Sequence, residues 1–479
     1  MDDPTERRYE LTPAAQRVAA GAAYGLLAVT LVSTRLIGLD SSLWHDEVVA
    51  VVEFIRAGPG EILAGPDLSH ELFGILAWAT TSAVGESEVA LRFWSVVPFL
   101  LGVAVVTVWL HARLGALAGI LFLFFATASP LLLDISRQAR GYGLAFLAMG
   151  VLLVAALEAS RTSGGWYLAG FCVAGIVGTC TLPQFGIAFV ATGIGLIADS
   201  GLRRRAAVGV GVSLAAIAAW YAPHIGEVRS ASRIEDGVQV GTLELLVSPF
   251  QHVLIPALLW IDGTVLVGSI VWLPLVLLMA VVMASSPLLS DRRSAVILCS
   301  GVVATLVVLW LVQAYVIPRY LSFLLVPLFG LLASGMSAIL RRVTSRPALL
   351  RTLACAALLG IVGFAFLSVL FHVVRYPREA YRDAARAVER ETAPDTPVFA
   401  YTRNTEGLDF YLDRPVRTLD STDVGAYVCE SKELVAFVTQ PFGIPDVEVA
   451  CLDRIGTRNF RARQYARGGE MNVWLVPPG

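Results

Sequence analysis

The sequence predicts a polytopic α-helical membrane protein that ends in a small soluble α/β domain. Its 479 residues are 56% hydrophobic and only 15% charged, and the mean hydropathy is +0.70. Soluble domains are about half apolar and about 25% charged, so this balance is typical of a chain that crosses a bilayer several times. The net charge of −2 gives no sign of a nucleic-acid partner, and membrane lipids are the expected surroundings.

Apolar runs of about 18 to 22 residues recur along the chain, and each is long enough to cross about 30 Å of hydrocarbon. They predict about eleven transmembrane helices. The predicted spans are 19–38, 92–112, 116–134, 143–160, 166–183, 185–200, 206–222, 263–284, 294–315, 320–340 and 350–371.

The stretch ELFGILAWATTSAVG at 71–85 is apolar, but it is too short to be counted as a span by length alone. If it does not span, the arginine pairs at 292–293 and 341–342 fall on the same side as Arg7 and Arg8. Because cytoplasmic loops carry the excess of arginine, this favours a surface-lying helix at 71–85 and a cytoplasmic N-terminus. The predicted order is a cytoplasmic segment 1–18, a transmembrane domain 19–371 with a first outer loop 39–91, and an extracytoplasmic domain 372–479.

Past residue 372 the composition becomes that of a soluble domain. An amphipathic helix is predicted within 376–397, and the short β-type runs VFAYT, ELVAFVTQ, VEVACLD and NVWLVPP follow it. About 105 residues are enough for a core of their own, so a small α/β domain is predicted. Its only cysteines are Cys429 and Cys451. In an oxidising compartment they either form a disulfide or stay unbridged, and the sequence leaves both alternatives open.

The predicted topology gathers polar side chains, with both charge signs among them, at the outer ends of the spans. Ionisable side chains at membrane depth are costly, so they usually face a cavity and serve a function. Any one of them can equally anchor a helix end at the headgroups, but the set as a whole favours a shared polar cavity. The residues are Asp46, Glu47, His70, Arg92, Arg137, Arg140, Tyr142, Gln184, Arg319 and Tyr320.

Five short motifs carry a family resemblance through their order along nearly the whole chain. They are LWHDE, SHELFGILAW, EVALRFWSVV, SPLLLDISRQARGYGL and IPRYLSFLLVPLFGLL. This order resembles the GT-C membrane glycosyltransferases, in particular the branch with the protein O-mannosyltransferases and the lipid A aminoarabinose transferase. The family often has Pro-Pro after the histidine of the second motif, where this chain has Glu71 and Leu72.

The resemblance implies an inverting transfer of a sugar, mannose or a related one, from a polyprenyl-phosphate donor. The acceptor would be a hydroxyl of a protein, lipid or glycan outside the membrane. A carboxylate must take the acceptor proton as general base. Asp46 matches the family's base position, and Glu47 would position the acceptor or replace the base. Alternatively the acidic pair only caps the helix that follows, because carboxylates favour a helix N-terminus.

The donor phosphate requires cations, and the planar fork of arginine suits it. Arg319 and Tyr320 match the family's lipid-phosphate contact. Arg137, Arg140 and Tyr142 form the second candidate group for substrate binding.

Two further residues of the predicted site have open roles. Arg92 either binds substrate or pairs with the carboxylates of Asp46 and Glu47 and orients them. His70 binds phosphate, the donor sugar or a metal. A divalent metal held by His45, His70 and the two carboxylates is conceivable. A hydrogen-bonding role is the commoner one for such a histidine, so the sequence assigns no cofactor.

Two other classes of protein fit the composition. A transporter or flippase of lipid-linked sugars would use a similar polar cavity, but it predicts internal repeats, and the sequence shows no such symmetry. A non-catalytic receptor or scaffold would make the acidic pair dispensable.

Overall fold

The computed structural model shows a mostly helical protein with a small β-sheet toward the C-terminus. The residues that the structure describes are 13–64, 70–198, 201–224, 272–311, 318–343, 380–401, 404–419, 427–428, 430–439, 457–460 and 471–477.

Long apolar helices form the larger part of the described chain. The helices are α1 Pro13–Leu36, α2 His45–Val49, α3 Pro59–Ala64, α4 Glu71–Val84, α5 Glu88–Leu114, α6 Ala116–Ala128, α7 Pro130–Ile135, α8 Tyr142–Thr162, α9 Gly165–Thr181, α10 Phe185–Ala198, α11 Arg203–Tyr221, α12 Trp272–Ala284, α13 Arg292–Leu311, α14 Leu325–Val343, α15 Tyr381–Glu391 and α16 Asn404–Asp409.

Each predicted span between residues 19 and 340 overlaps at least one of these helices. Within the described ranges, four helices are long and apolar enough to cross a membrane, by length and composition. The count of about eleven spans stays a prediction, because 350–371 and the first part of 263–284 lie outside the described residues. The four candidate spans are Ala14–Leu36, Glu88–Leu114, Tyr142–Thr162 and Arg319–Arg342.

The predicted span 116–134 is not one continuous helix, because the first helix ends at Ala128 and a new helix starts at Pro130. Proline has no N–H to donate, so it suits the first position of a helix and breaks the interior of one. The Ser129 hydroxyl caps the new helix by accepting from the Leu132 N–H at 3.3 Å.

The helices α5 and α8 lie close together because glycines stand where they cross. A methyl group on Gly143 would lie 1.8 Å from the Ser95 carbonyl oxygen, and one on Gly102 would lie 2.9 Å from the Leu147 Cα. Neither position admits a side chain without a backbone shift. The close approach lets the Ser95 hydroxyl donate to the Arg140 carbonyl, which ties the loop before α8 to α5.

The C-terminal region is an α/β unit, as predicted, with the amphipathic helix α15 beside the sheet. Tyr381, Ala384 and Val388 are buried on one face of α15, against the sheet. The strand order is β2-β1-β3-β5-β4, with β1 parallel to β2 and β3 and with β5 antiparallel to β3 and β4. The strands are β1 Val398–Tyr401, β2 Val416–Leu419, β3 Val435–Thr439, β4 Thr457–Phe460 and β5 Met471–Val476.

The sequence predicted β1, β3 and β5 but missed the two edge strands, which have four residues each and little apolar alternation. The run VEVACLD lies outside the described residues, and so do Cys429, Cys451 and the predicted domain boundary at 372.

Candidate active site

Asp46 lies near the start of α2 and is paired with two arginines that are distant in sequence. Its Oδ2 accepts a hydrogen bond from Arg319 Nη2 at 2.6 Å, and Arg140 Nη2 lies 3.5 Å from the same oxygen. The Asp46 side chain is 23% exposed, so one carboxylate and two guanidinium groups meet where a ligand can reach them. These three side chains together carry one surplus positive charge, which favours an anionic ligand such as a phosphate.

Aromatic rings hold the Arg319 guanidinium in place. Its Cζ lies 4.8 Å from the centroid of the Trp44 ring and 5.7 Å from that of the Tyr320 ring. A cation over an aromatic face is attracted by the ring quadrupole. The motif around Asp46 therefore supplies both a carboxylate and an aromatic platform for Arg319. The sequence alone assigns no role to Trp44 of the motif LWHDE.

Glu47 is the buried member of the acidic pair, with only 1% of its side chain exposed. It accepts from Arg92 Nε at 3.1 Å and Arg92 Nη2 at 2.9 Å, from the Trp44 N–H at 3.0 Å and from the Ala139 N–H. It thus caps α2, ties it to α5 and leaves no oxygen facing a substrate. The two members of the acidic pair differ: Glu47 caps the helix, and Asp46 meets Arg319 and Arg140. The acceptor-positioning role of Glu47 stays a prediction.

Arg92 pairs with the Glu47 carboxylate, and its role in substrate binding stays a prediction. Its Nη1 also donates to the carbonyls of Leu39 and Ser41, each at 2.7 Å, and its Nη2 donates to the Ser42 carbonyl at 3.2 Å. The residue is only 4% exposed. We therefore interpret Arg92 as the residue that fixes the segment between α1 and α2.

Arg137 lies at the end of α1 and not against Asp46. Its Nη2 donates to the carbonyls of Ile37 at 2.6 Å and Gly38 at 2.9 Å, and the residue is 4% exposed. Those carbonyls follow the last turn of α1, where backbone acceptors have no helical partner. Of the two arginines in the motif SRQARGY, only Arg140 reaches the carboxylate.

His70 and Tyr142 lie side by side next to this cluster. The His70 Nδ1 accepts from the Gly141 N–H at 3.1 Å, and its ring meets the Tyr142 ring edge-on at 4.8 Å between centroids. The Tyr142 and Tyr320 rings lie 6.4 Å apart. The Tyr142 hydroxyl is buried and has no hydrogen-bond partner among the described residues, so it is available to a ligand.

The backbone at His70 adopts a φ of +142°, which L side chains rarely adopt. The next residue, Glu71, begins α4 and accepts from the Trp220 indole N–H of α11. Where the family often has Pro-Pro, this chain therefore starts a helix and binds α11 through a buried carboxylate.

The four side chains of the conceivable metal site have four different partners. His45 Nδ1 lies 3.5 Å from Glu406 Oε2, and His70 accepts from a backbone amide. Asp46 and Glu47 are paired with separate arginines. In the part of the chain that the structure describes, no three His, Cys, Asp or Glu side chains are placed to hold a metal ion.

Two solved structures share this architecture. The crystal structure of ArnT from Cupriavidus metallidurans in the apo state matches with a TM-score of 0.59 over 97% of this chain and 98% of that chain, at 15% identity. ArnT from the same organism bound to undecaprenyl phosphate matches over the same shares, with a TM-score of 0.54 and 15% identity. The chain has the GT-C fold.

A likeness at 15% identity shows the fold, and it confirms the fold class that the ordered motifs predicted. With its long apolar helices, the GT-C fold makes this protein an integral membrane protein. No family model and no curated protein sequence matches the chain.

Proposed function

We propose that the protein is an inverting glycosyltransferase that moves a sugar from a polyprenyl-phosphate donor to a hydroxyl acceptor at the outer face of the membrane. The observation that carries the proposal is the contact between Asp46 and Arg319. It joins a general-base candidate to a phosphate-binding candidate across 273 positions of sequence, in a GT-C fold. The bound undecaprenyl phosphate of one ArnT structure supports a donor of this chemical class.

The proposed reaction assigns one role to each charge of the cluster. The acceptor oxygen forms a bond with the anomeric carbon as the bond to the phosphate oxygen breaks, and its proton passes to the Asp46 carboxylate. The polyprenyl phosphate leaves with the electron pair, and Arg319 and Arg140 stabilise its charge. A bound donor phosphate would take over the contact that Arg319 makes with Asp46, which frees the carboxylate for the acceptor.

The aromatic and imidazole groups beside the cluster are the proposed contacts of the donor head. Tyr142 offers a hydroxyl donor, Tyr320 flanks Arg319, and His70 is held in place by Gly141. Arg92 and Arg137 donate to backbone carbonyls of the chain that follows α1, and we assign them a structural role in the site. The donor sugar is proposed to be a hexose or pentose, mannose or a related sugar.

The proposal is tested by turnover in proteoliposomes that hold the purified protein, a radiolabelled polyprenyl-phosphate sugar and extracted envelope acceptors. A panel of donors with different sugars is screened, and both the released polyprenyl phosphate and the labelled product are counted. Release with at least one donor is expected. A labelled donor that crosses the bilayer without being cleaved would indicate a flippase instead, and no release with any donor would reject the proposal.

The Asp46→Asn variant identifies the base. We expect its turnover to fall by about 10²- to 10⁴-fold, the usual effect of losing general-base catalysis, while the fold is kept. Glu53→Gln is the matched control, since Glu53 is an exposed carboxylate in the helical turn Ala50–Ile55 that follows α2. Near-normal turnover in Asp46→Asn would place the base on another residue.

A further inference from the structure

The C-terminal α/β unit contacts the segment that leads into α2. The Tyr411 hydroxyl accepts from the Leu43 N–H at 2.7 Å and donates to Glu88 Oε1 at 3.2 Å. Arg382 forms an ion pair with the same Glu88, and its Nη1 donates to the Asp40 carbonyl at 2.6 Å. Two side chains of the α/β unit thus bind both the backbone of this segment and the first turn of α5.

Further interactions support the contact between the α/β unit and the segment before α2. The Arg382 guanidinium lies 5.3 Å from the centroid of the Tyr411 ring. The backbone N–H of Arg382 donates to the Ser42 hydroxyl at 3.3 Å. Burial raises the pKa of Tyr411 above its ordinary value. A tyrosine hydroxyl is protonated at neutral pH, so it can donate to Glu88.

Arg92 of α5 holds the same segment. Arg92 and Glu88 lie four positions apart on α5, so they sit on one face of that helix. Arg92 binds the carbonyls of Leu39, Ser41 and Ser42. Residues 40–43 belong to no helix or strand, and these two sets of contacts help to fix the path of their backbone.

A second contact lies directly beside the candidate base. The short helix α16 packs against α2, and Glu406 of α16 lies 3.5 Å from the His45 imidazole. His45 is the residue before Asp46. The α/β unit therefore contacts the helix that carries the carboxylate as well as the segment that precedes it.

We propose that the α/β unit is a positioning element of the active site, in which Tyr411 and Arg382 set the orientation of α2 and hence of the Asp46 carboxylate. This inference rests on the proposed function of Asp46 and deepens it. Tyr411 and Arg382 touch no reacting atom and act through residues 40–43 and through Glu88 at the start of α5. A displacement of about 1 Å in a catalytic group can cost about 10²-fold in rate, so such a clamp has a measurable effect.

Tyr411→Phe removes the hydroxyl and keeps the ring, which makes it the first test. We expect kcat for polyprenyl-phosphate release to fall by about 10- to 10²-fold. The donor KM should not change, because no phosphate contact is lost. Tyr427→Phe is the matched control, since Tyr427 is an exposed tyrosine of the same unit. Arg382→Ala should behave like Tyr411→Phe, with partial recovery in Arg382→Lys, while Arg386→Ala on the exposed side of α15 should leave kcat unchanged.

Hydrogen–deuterium exchange of the peptide 39–47 gives a readout that needs no substrate. In Tyr411→Phe this peptide should exchange faster, because the Leu43 N–H loses its acceptor, and in Tyr427→Phe it should exchange as in the wild type. Unchanged exchange in Tyr411→Phe overturns the inference, and so does faster exchange with an unchanged kcat. A wild-type protein without turnover on any donor rejects the proposed function instead, and the exchange result still shows whether the clamp exists.

Discussion

Asp46 and Glu47 are adjacent in the chain and have opposite surroundings. Consecutive residues of a helix point in directions about 100° apart, so one carboxylate of α2 faces the cluster with Arg319 and the other faces the protein interior. The interior carboxylate is fully paired with Arg92 and with backbone amides. The two residues therefore differ in what their loss would do.

The main effect of Glu47→Gln should be a loss of folding stability and not a loss of catalysis. The substitution leaves the buried Arg92 guanidinium without its counter-charge, and breaking a buried ion pair costs about 3–5 kcal/mol. We expect a clearly lower midpoint of thermal unfolding in detergent. Size-exclusion chromatography with fluorescence detection measures this midpoint. Glu53→Gln, on the exposed turn after α2, should melt as the wild type does. An unchanged midpoint together with lost turnover would show that Glu47 acts on the substrate.

Arg319→Ala should weaken binding of polyprenyl phosphate and raise the donor KM. The lost charge-assisted contact is worth about 1.5–3 kcal/mol, and Arg319→Lys should recover only part of it because a point charge cannot reproduce the fork. Binding of a labelled polyprenyl phosphate to the purified protein measures the effect. Arg161→Ala, an exposed arginine at the other end of α8, is the control. Donor affinity that does not change in Arg319→Ala would remove this residue from the phosphate site.

At the scale of elements, the start of α13 shows how a single side chain ends a turn and begins a helix. Asp291 precedes α13 and accepts from the Ser294 N–H at 3.0 Å, the Ser294 hydroxyl at 2.7 Å and the Arg293 N–H at 3.4 Å. These hydrogen bonds, that of the Ser294 hydroxyl first, lower the pKa of the Asp291 carboxyl below its ordinary value. The charged form is therefore the one that caps the helix.

Asp291→Ala should lower stability by about 1 kcal/mol, the usual value of an N-cap, and Asp291→Asn should keep most of it. Because the folded-state pKa is lowered, the extra stability is present above the ordinary pKa and is lost as the pH falls through the folded value. The difference between wild type and Asp291→Ala in thermal midpoint should therefore narrow below pH 3.8. A difference that is the same at neutral and at acid pH, or an Asn variant as unstable as the Ala variant, would contradict this role.

At the scale of the whole molecule, the proposed reaction requires that the candidate site faces away from the cytoplasm. The supporting observation is the distribution of arginines, with those of 292–293 and 341–342 on the side of the N-terminus if α4 does not span. The α/β unit contacts the segment before Asp46, so the two must lie on the same side of the membrane.

Labelling of single cysteines tests this sidedness. In a background without reactive native cysteines, Lys432→Cys in the α/β unit should react with an impermeant maleimide in intact cells. Ser290→Cys, between α12 and α13, should react only after permeabilisation, because arginine-rich loops are retained in the cytoplasm. Both positions are exposed in the structure, so accessibility to the reagent is comparable. The reverse pattern would place Asp46 and the α/β unit on the cytoplasmic side and contradict the proposed direction of transfer.

The sequence by itself determined the class of protein, the positions of most apolar helices, the α/β character of the C-terminal region and the GT-C resemblance. These are local properties: a run of apolar side chains partitions into lipid whatever the rest of the chain does, and LWHDE and IPRY are readable in any context. The apolar pattern extended the predicted span 116–134 past Pro130, where the proline starts a new helix. The same kind of pattern did not predict the edge strands β2 and β4.

The tertiary structure alone decided which charged residues meet. The sequence predicted one shared set of charged residues. In the structure Asp46 pairs with Arg319 in a partly exposed contact, and Glu47 pairs with Arg92 in a buried one. Arg137 instead binds a backbone carbonyl after the end of α1. No sequence signal marked Tyr411 or Arg382 as partners of the segment before α2, because they lie more than 300 positions from it. Such contacts arise from the packing of whole helices and of the sheet against one another, and side-chain direction at the contact is fixed only when that packing is complete.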